Sequence, residues 1–325
     1  MFIILTMAGG RFGYGHLGRC IPIYKELINQ GMSGQLISIN GGKEPIKADV
    51  DIIEKDWILN HETLTLNEND IVLVDVLDID VVILKSLQCI AKSLFVIDDI
   101  NVKKYQLFNR IDWSIKTHIL TLEGDSADYL SSPSLVPLKP AFSSFETKVI
   151  KKDIEVILLT LGGSDVKNLS PLLIDFLSKN FPDFKLIVLV GPDFQFVDAI
   201  KKLEGGNVTL LLSPTEEQIA EAMIISDLAI STGGHTMYEL AAAGLPTVQL
   251  QIIENQEVSK YWAEYGFSYF AGWYNDDDFL KNLKGGIDHF KSKAGRVRSS
   301  KLGQLIINGN GAKKLVSKLV LEHVG

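Results

Sequence analysis

The chain alternates short unbroken apolar runs with longer stretches in which apolar residues recur at helical spacing, and glycine clusters mark most of the changeovers. Runs at Phe2 to Met7, Leu36 to Ile39, Asp70 to Asp75 and Ser93 to Asp98 predict strands buried on both faces, as in a parallel sheet covered by helices. Helices are predicted over Gly18 to Gln30, closed by Gly31, and over Ile79 to Ala91. From Ser131 to Asp153 the chain becomes rich in Ser, Pro and Lys and loses its period, which reads as a domain connection. The pattern then starts again with a strand at Ile154 to Leu161, the turn Gly162-Gly163-Ser164-Asp165, and a helix over Leu169 to Lys179 with Ser170 or Asn168 and Pro171 as start signals. Strands at Lys185 to Val190, Asn207 to Leu212, Asp227 to Ser231 and Thr247 to Leu250 follow, separated by helices near Phe194 to Leu203 and Glu216 to Ser226. The expected fold is α/β, two doubly wound parallel-sheet domains facing a cleft, with boundaries at 1–139, a linker at 140–153, and 154–325. A final helix, Ala312 to His323, closes the second domain or crosses back to the first, and the pattern leaves both open.

The stretch Asp227 to Gln256 carries the sharpest signal. A strand is broken by Gly233 and Gly234, Thr236 to Ala243 reads as a helix of strong formers, Gly244 ends it, and Pro246 precedes the next strand. Backbone N–H groups beside two residues without side chains favour a phosphate, whereas a tight turn without ligand is the commoner meaning of Gly-Gly before a helix. Glu239, one turn into that helix, is placed to accept hydrogen bonds from a ribose diol or to stand solvated on the surface.

In the first half, Gly13-Tyr14-Gly15-His16-Leu17-Gly18 matches G-x-G-x-x-G, but the next strand ends in Asn40-Gly41-Gly42 rather than in the acid that a nicotinamide dinucleotide site uses. What remains is a glycine loop carrying one imidazole, His16, at a helix start, where the dipole favours the neutral ring that accepts a proton. Packing or capping is the plainer role for such a histidine. Asp75, Asp98 and Asp99 end strands and so share the carboxyl edge of the sheet with His16, although Asp98-Asp99 also suits a turn. No His or Cys stands at ligand spacing beside Asp78-Ile79-Asp80 or Asp276-Asp277-Asp278, so no metal and no cofactor are expected.

Composition narrows the classes further. The 325 residues are 46% hydrophobic and 22% charged, which suits a soluble globular chain of two domains. A net charge of −8 disfavours nucleic acid as a partner. No run reaches the roughly 20 apolar residues of a membrane span, and Met1 to Met7 lacks the basic start of a signal peptide, so a cytoplasmic location without stable membrane insertion is expected. Cys20 and Cys89 fit neither a zinc site nor a redox pair and read as buried reduced thiols.

Taken in order, five short segments resemble the GT-B superfamily, and within it the UDP-sugar hydrolases of pseudaminic-acid synthesis and related spore-coat polysaccharide biosynthesis proteins. Gly13-Tyr14-Gly15-His16 with Arg19-Cys20 is similar to that group's G-x-G-H-x-x-R-C, and Val96-Ile97-Asp98-Asp99 to its V-I-D-D. Leu161 to Asp165 with Asn168-Leu169 resembles F-G-G-S-D-x-x-N-L, Gly233 to Leu240 resembles G-G-S-T-x-Y-E-L, and Glu254-Asn255-Gln256 resembles E-N-Q. The second-half segments are shared with the peptidoglycan N-acetylglucosaminyltransferase. The resemblance implies a metal-independent enzyme on a UDP-sugar, working beside enzymes of a polysaccharide pathway. It implies His16 as the base, Gly163, Ser164, Gly233, Gly234, His235, Thr236 and Glu239 around the nucleotide, and Gly15, Arg19, Asn255 and Gln256 on the sugar and diphosphate.

Three departures bear on the sugar or acceptor side. Leu77 stands where the hydrolases carry an aromatic residue, Thr6-Met7-Ala8 replaces an R-x-D element, and His235 replaces a Ser. Hydrolysis, releasing UDP and a free N-acetylated deoxy sugar, ranks first. Transfer to a polysaccharide, lipid or protein hydroxyl is the alternative, and a sugar-nucleotide sensor would need no base. A small closed first-domain cleft would indicate water, and an open one with an apolar rim an acceptor.

Overall fold

The computed structural model describes residues 1–98, 103–120, 129–256 and 258–323, so Asp99 lies outside the described residues. The chain divides into two compact units, Met1–Pro140 with Gly309–Gly325, and Ala141–Asn308.

The first unit holds β1 (Phe2–Ala8), α1 (Gly15–Asn29), β2 (Gly34–Asn40), β3 (Ile53–Glu54), β4 (Ile71–Asp75), α2 (Val81–Ile90), β5 (Ser93–Ile97), β6 (Asn109–Asp112), α3 (Ile115–Leu120) and β7 (Tyr129–Ser131). Its seven strands run parallel in the order β3-β2-β1-β4-β5-β6-β7. Every residue of β1 is buried, which explains why its sequence is an unbroken apolar run rather than an alternation. Ile3, Leu5 and Met7 on β1 join Val72 and Val74 on β4 and Leu84 and Leu87 on α2 in one core. The strand order reverses between β1 and β4, the point at whose carboxyl ends open α/β sheets hold ligands.

The second unit repeats the plan with β8 (Val156–Thr160), α4 (Ser170–Asn180), β9 (Lys185–Val190), α5 (Val197–Lys201), β10 (Val208–Leu212), α6 (Glu216–Ile225), β11 (Leu228–Thr232), α7 (Thr236–Ala242), β12 (Thr247–Gln251), α8 (Ser259–Tyr265), β13 (Ser268–Trp273), α9 (Phe279–His289) and α10 (Lys293–Ile306). Its six strands are parallel in the order β10-β9-β8-β11-β12-β13, and the reversal falls between β8 and β11. The chain then returns to the first unit, where α11 (Gly311–His323) packs against α1 and the turn at Pro133–Leu135.

The final helix thus groups with the first unit, and residues 141–153, expected as a connection, group with the second. Lys148 Nζ donates to the carbonyls of Met223 and Ile224, which end α6, and Arg296 Nη2 donates to those of Lys151 and Lys152. Backbone carbonyls make these contacts, and any residue supplies a carbonyl. A Ser-, Pro- and Lys-rich composition therefore gives no sign of them.

Candidate functional site

Two constellations stand at the two reversal points. In the first unit, β4 ends on Asp75, which is fully buried, and α1 brings His16, Arg19 and Cys20 to it from a distance of more than fifty residues in sequence. Arg19 grips the carboxylate with two bonds, Nε to Oδ2 and Nη2 to Oδ1, each 2.6 Å. Its guanidinium also lies 5.3 Å from the centre of the Trp113 ring. His16 Nδ1 meets Asp75 Oδ1 at 2.9 Å, and Cys20 Sγ donates to Oδ2 at 3.5 Å. Four donors thus serve the lone pairs of two oxygens, a complete satisfaction of a buried carboxylate.

The protonation states follow from this geometry. Burial alone raises the Asp75 pKa, but the Arg19 charge and the bonds from Arg19 and His16 outweigh it and hold the group down to about 2. Asp75 is therefore a carboxylate at neutral pH and accepts only. The proton on the neutral His16 ring must then sit on Nδ1, pointing at Asp75, which leaves Nε2 with its lone pair. Arg19 Nη2 lies 3.1 Å from the same Nδ1, and since both carry hydrogen this approach is a close packing contact rather than a bond. Nε2 makes no hydrogen bond among the described residues, and the side chain keeps 18% of its surface exposed. A carboxylate that fixes the tautomer and steadies the ring is the arrangement of a histidine base. Burial, and next the nearby Asp75 charge, push the Cys20 thiol well up, so it stays a hydrogen-bond donor.

Gly15 is exposed as the first residue of α1. Arg19, which the resemblance assigns to sugar or diphosphate, is engaged with Asp75 and Trp113. Asp98 is buried and paired with Arg110 at 3.4 Å. Tyr14, two residues before His16, and Leu77, two residues after Asp75, are 55% and 64% exposed. Cys89 is exposed rather than buried, a correction to the reading of its apolar neighbourhood: those neighbours belong to α2, which buries Leu84 and Leu87 on its other face.

In the second unit, the loops leaving β8, β11 and β12 enclose a pocket of about 210 Å³. Gly163, Ser164, Gly233, Gly234, His235, Thr236 and Gln256 all line it, with Ile252 and Ile253 as its apolar wall. Its position at the reversal between β8 and β11 is where open α/β sheets hold ligands. Gly162 bends the first loop with φ +79°, a value that favours glycine. At Gly233 a Cβ would stand 2.4 Å from Ser259 Oγ, so only glycine lets the loop lie against α8. Gln256 ties the third loop by accepting from Ile252 N at 3.0 Å.

Asp165, and neither Ser170 nor Asn168, caps α4: its two oxygens accept from Leu169 N at 2.9 Å and Ser170 N at 2.8 Å. The pocket is thus lined by loop residues and by Thr236, the first residue of α7, while the start of α4 is served by the Asp165 carboxylate. Glu239 lies half-buried on α7 and is not among the residues lining the pocket. The side chain of Asn255 lies outside the described residues, while its backbone sits in the turn Glu254–Gln256. No group of three or more His, Cys, Asp or Glu suited to a metal ion occurs among the described residues.

The histidine–carboxylate pair was legible only in part. His16 stood out by its glycine loop and Asp75 by ending a strand, but nothing in either stretch announces that the two meet.

Two parallel α/β sheets, each reversing its strand order beneath a group of loop residues, define a GT-B fold, and this chain has it. MurG of Acinetobacter baumannii aligns with a TM-score of 0.62 at 14% identity, covering 98% of each chain. MnaA of S. aureus, solved with UDP, gives 0.61 at 13% identity, covering 99% of this chain and 97% of that one. In sequence the chain is 27% identical over 229 residues to the spore coat polysaccharide biosynthesis protein SpsG of Bacillus subtilis, covering 66% of this chain and 67% of that one. It is 26% identical over 271 residues, 76% of its length, to the uncharacterized protein MJ1062 of Methanocaldococcus jannaschii, and spans 54% of that longer protein. No family model matches the chain. Among the described residues no helix is long and apolar enough to cross a membrane.

Proposed function

We propose that the protein is a metal-independent enzyme of surface-polysaccharide synthesis that takes a sugar from a UDP-sugar, with His16 as its base. The observation that carries the reading is the His16–Asp75 pair, which leaves Nε2 open to accept a proton. As the acceptor oxygen bonds to the anomeric carbon, its proton passes to Nε2 and the bond from that carbon to the UDP oxygen breaks, releasing UDP. Asp75 balances the imidazolium that forms. The glycine loops at Gly162-Gly163 and Gly233-Gly234 supply backbone donors for the diphosphate, and the ribose contact falls to Glu239 on the resemblance alone, since it stands on α7 outside the pocket lining.

We favour a hydroxyl acceptor, which reverses the order that the sequence alone suggests. Leu77, two residues after Asp75, and Tyr14, two residues before His16, are exposed side chains of the kind that an acceptor-binding rim would need. Hydrolysis remains the second reading because the segment Gly13 to Cys20 resembles the hydrolases. A panel of UDP-N-acetylated 6-deoxy sugars followed by NMR separates the two. Consumption only after an acceptor extract is added supports transfer, release of UDP and free sugar without acceptor supports hydrolysis, and consumption in neither case removes the enzyme reading.

A further inference from the structure

Helix α10 is built inside out. Its buried residues are Arg296, Ser299, Ser300, Gly303 and Ile306, of which only the last is a sizeable apolar side chain. That polar face is held by backbone carbonyls: Arg296 donates to those of Phe290, Lys291, Lys151 and Lys152, Ser299 to that of Phe267, and Gln304 Nε2 to those of Glu146 and Ala242. The outward arc carries Ala294, Val297, Arg298, Lys301 and Leu305 at i, i+3, i+4, i+7 and i+11, the spacing of a single helix face. Leu305 is 73% exposed, and an open groove runs along Lys293, Ala294, Val297, Arg298, Lys301 and Leu302.

The charge of this helix is as unusual as its polarity. Lys293, Arg296, Arg298 and Lys301 occur in it without a single Asp or Glu, in a chain whose net charge is −8. Aliphatic side chains flanked by long basic ones, with no acid among them, suit a surface that is anionic outside and apolar just beneath. Lys and Arg reach the phosphates while Val297 and Leu305 enter the acyl boundary. A protein partner would be expected to find aromatic anchors at the centre of such a face, and this one has none.

We propose that the outward face of α10 docks the protein peripherally on a bilayer bearing anionic lipids. The proposal goes beyond the assigned reaction and stands whether the acceptor is water or a hydroxyl. It is tested by floating the full chain with phosphatidylcholine vesicles, with and without phosphatidylglycerol, at low salt. Binding to the phosphatidylglycerol vesicles is expected, weakening as salt rises. Arg298→Gln with Lys301→Gln should lower it about 30-fold, the loss of two basic contacts at a charged surface. Leu305→Gln should lower it further, and all three substitutions lie on exposed positions and should leave the UDP titration unchanged. Failure to float with phosphatidylglycerol, equal flotation with phosphatidylcholine alone, or unaltered binding by the charge variant would each overturn the proposal. A concentration-dependent dimer broken by the same substitutions would overturn it too, giving the face to a second copy.

Discussion

The two units share a fold and differ in what they build at its reversal point. The first assembles side chains around one buried carboxylate, so its chemistry depends on a proton and on the charge of Asp75. The second sets two glycine turns around a pocket, with Ser164, His235, Thr236 and Gln256 beside them, so its working depends on space. A side-chain site titrates and is broken by removing a group. A site built on glycine turns is broken by adding one. This is also the division expected of a base and a phosphate cradle.

The largest expected effect sharpens that division. His16→Asn should cut turnover by about 10²–10⁴-fold, the usual cost of losing a general base, in single-turnover assays on the consumed UDP-sugar. Turnover within threefold of wild type would remove His16 from the chemistry.

Asp75→Ala should destabilise the first unit by about 3–5 kcal/mol in urea unfolding, because the buried Arg19 guanidinium loses the carboxylate that accepts two of its hydrogen bonds. Asp75→Asn, which keeps the shape and the acceptor oxygen, should cost less. Equal losses would mean that packing, rather than charge, holds the cluster together.

How far each site could be read in advance follows the same contrast. The pocket was legible because glycine turns after apolar runs are local, and Gly163, Ser164, Gly233, Gly234, His235, Thr236 and Gln256 do line it. The His16–Asp75 pair was half legible, since the chain between them runs through α1, β2, β3 and β4 and only the folded sheet brings them together. Short or edge strands such as β3, β6 and β7 carry too few apolar residues to register, and β13 (SYFAGW) is half-buried with a glycine inside. Helix α10 escaped because its period is inverted, with Arg296, Ser299 and Ser300 turned inward and Leu305 outward.

In the first unit acid should act through Asp75. Asp75 has its pKa depressed from 3.8 to about 2, so its contribution is complete above about pH 4 and is lost as pH falls through about 2, an order of about 2 kcal/mol. Urea midpoints measured from pH 5 to pH 2 should show this loss in wild type and less of it in Asp75→Asn. Parallel curves for the two proteins would contradict an ionised, paired Asp75.

The smallest change is expected at Glu239. Its replacement by Ala should weaken UDP by about 1–3 kcal/mol if the carboxylate holds the ribose. Unchanged affinity in the folded variant would leave the cradle to backbone alone, which sharpens the contrast rather than ending it.

The most direct test of the division of labour is calorimetric titration of UDP into three proteins: wild type, His16→Asn and Gly163→Leu. Nothing stands within 4 Å of a Cβ built at Gly163, so that variant should fold while its side chain crowds a pocket of about 210 Å³. The account predicts that His16→Asn binds UDP as wild type does and that Gly163→Leu, folded by circular dichroism, binds it at least tenfold more weakly, a difference of about 1.4 kcal/mol or more. Loss of UDP binding in His16→Asn with full binding in Gly163→Leu would contradict it.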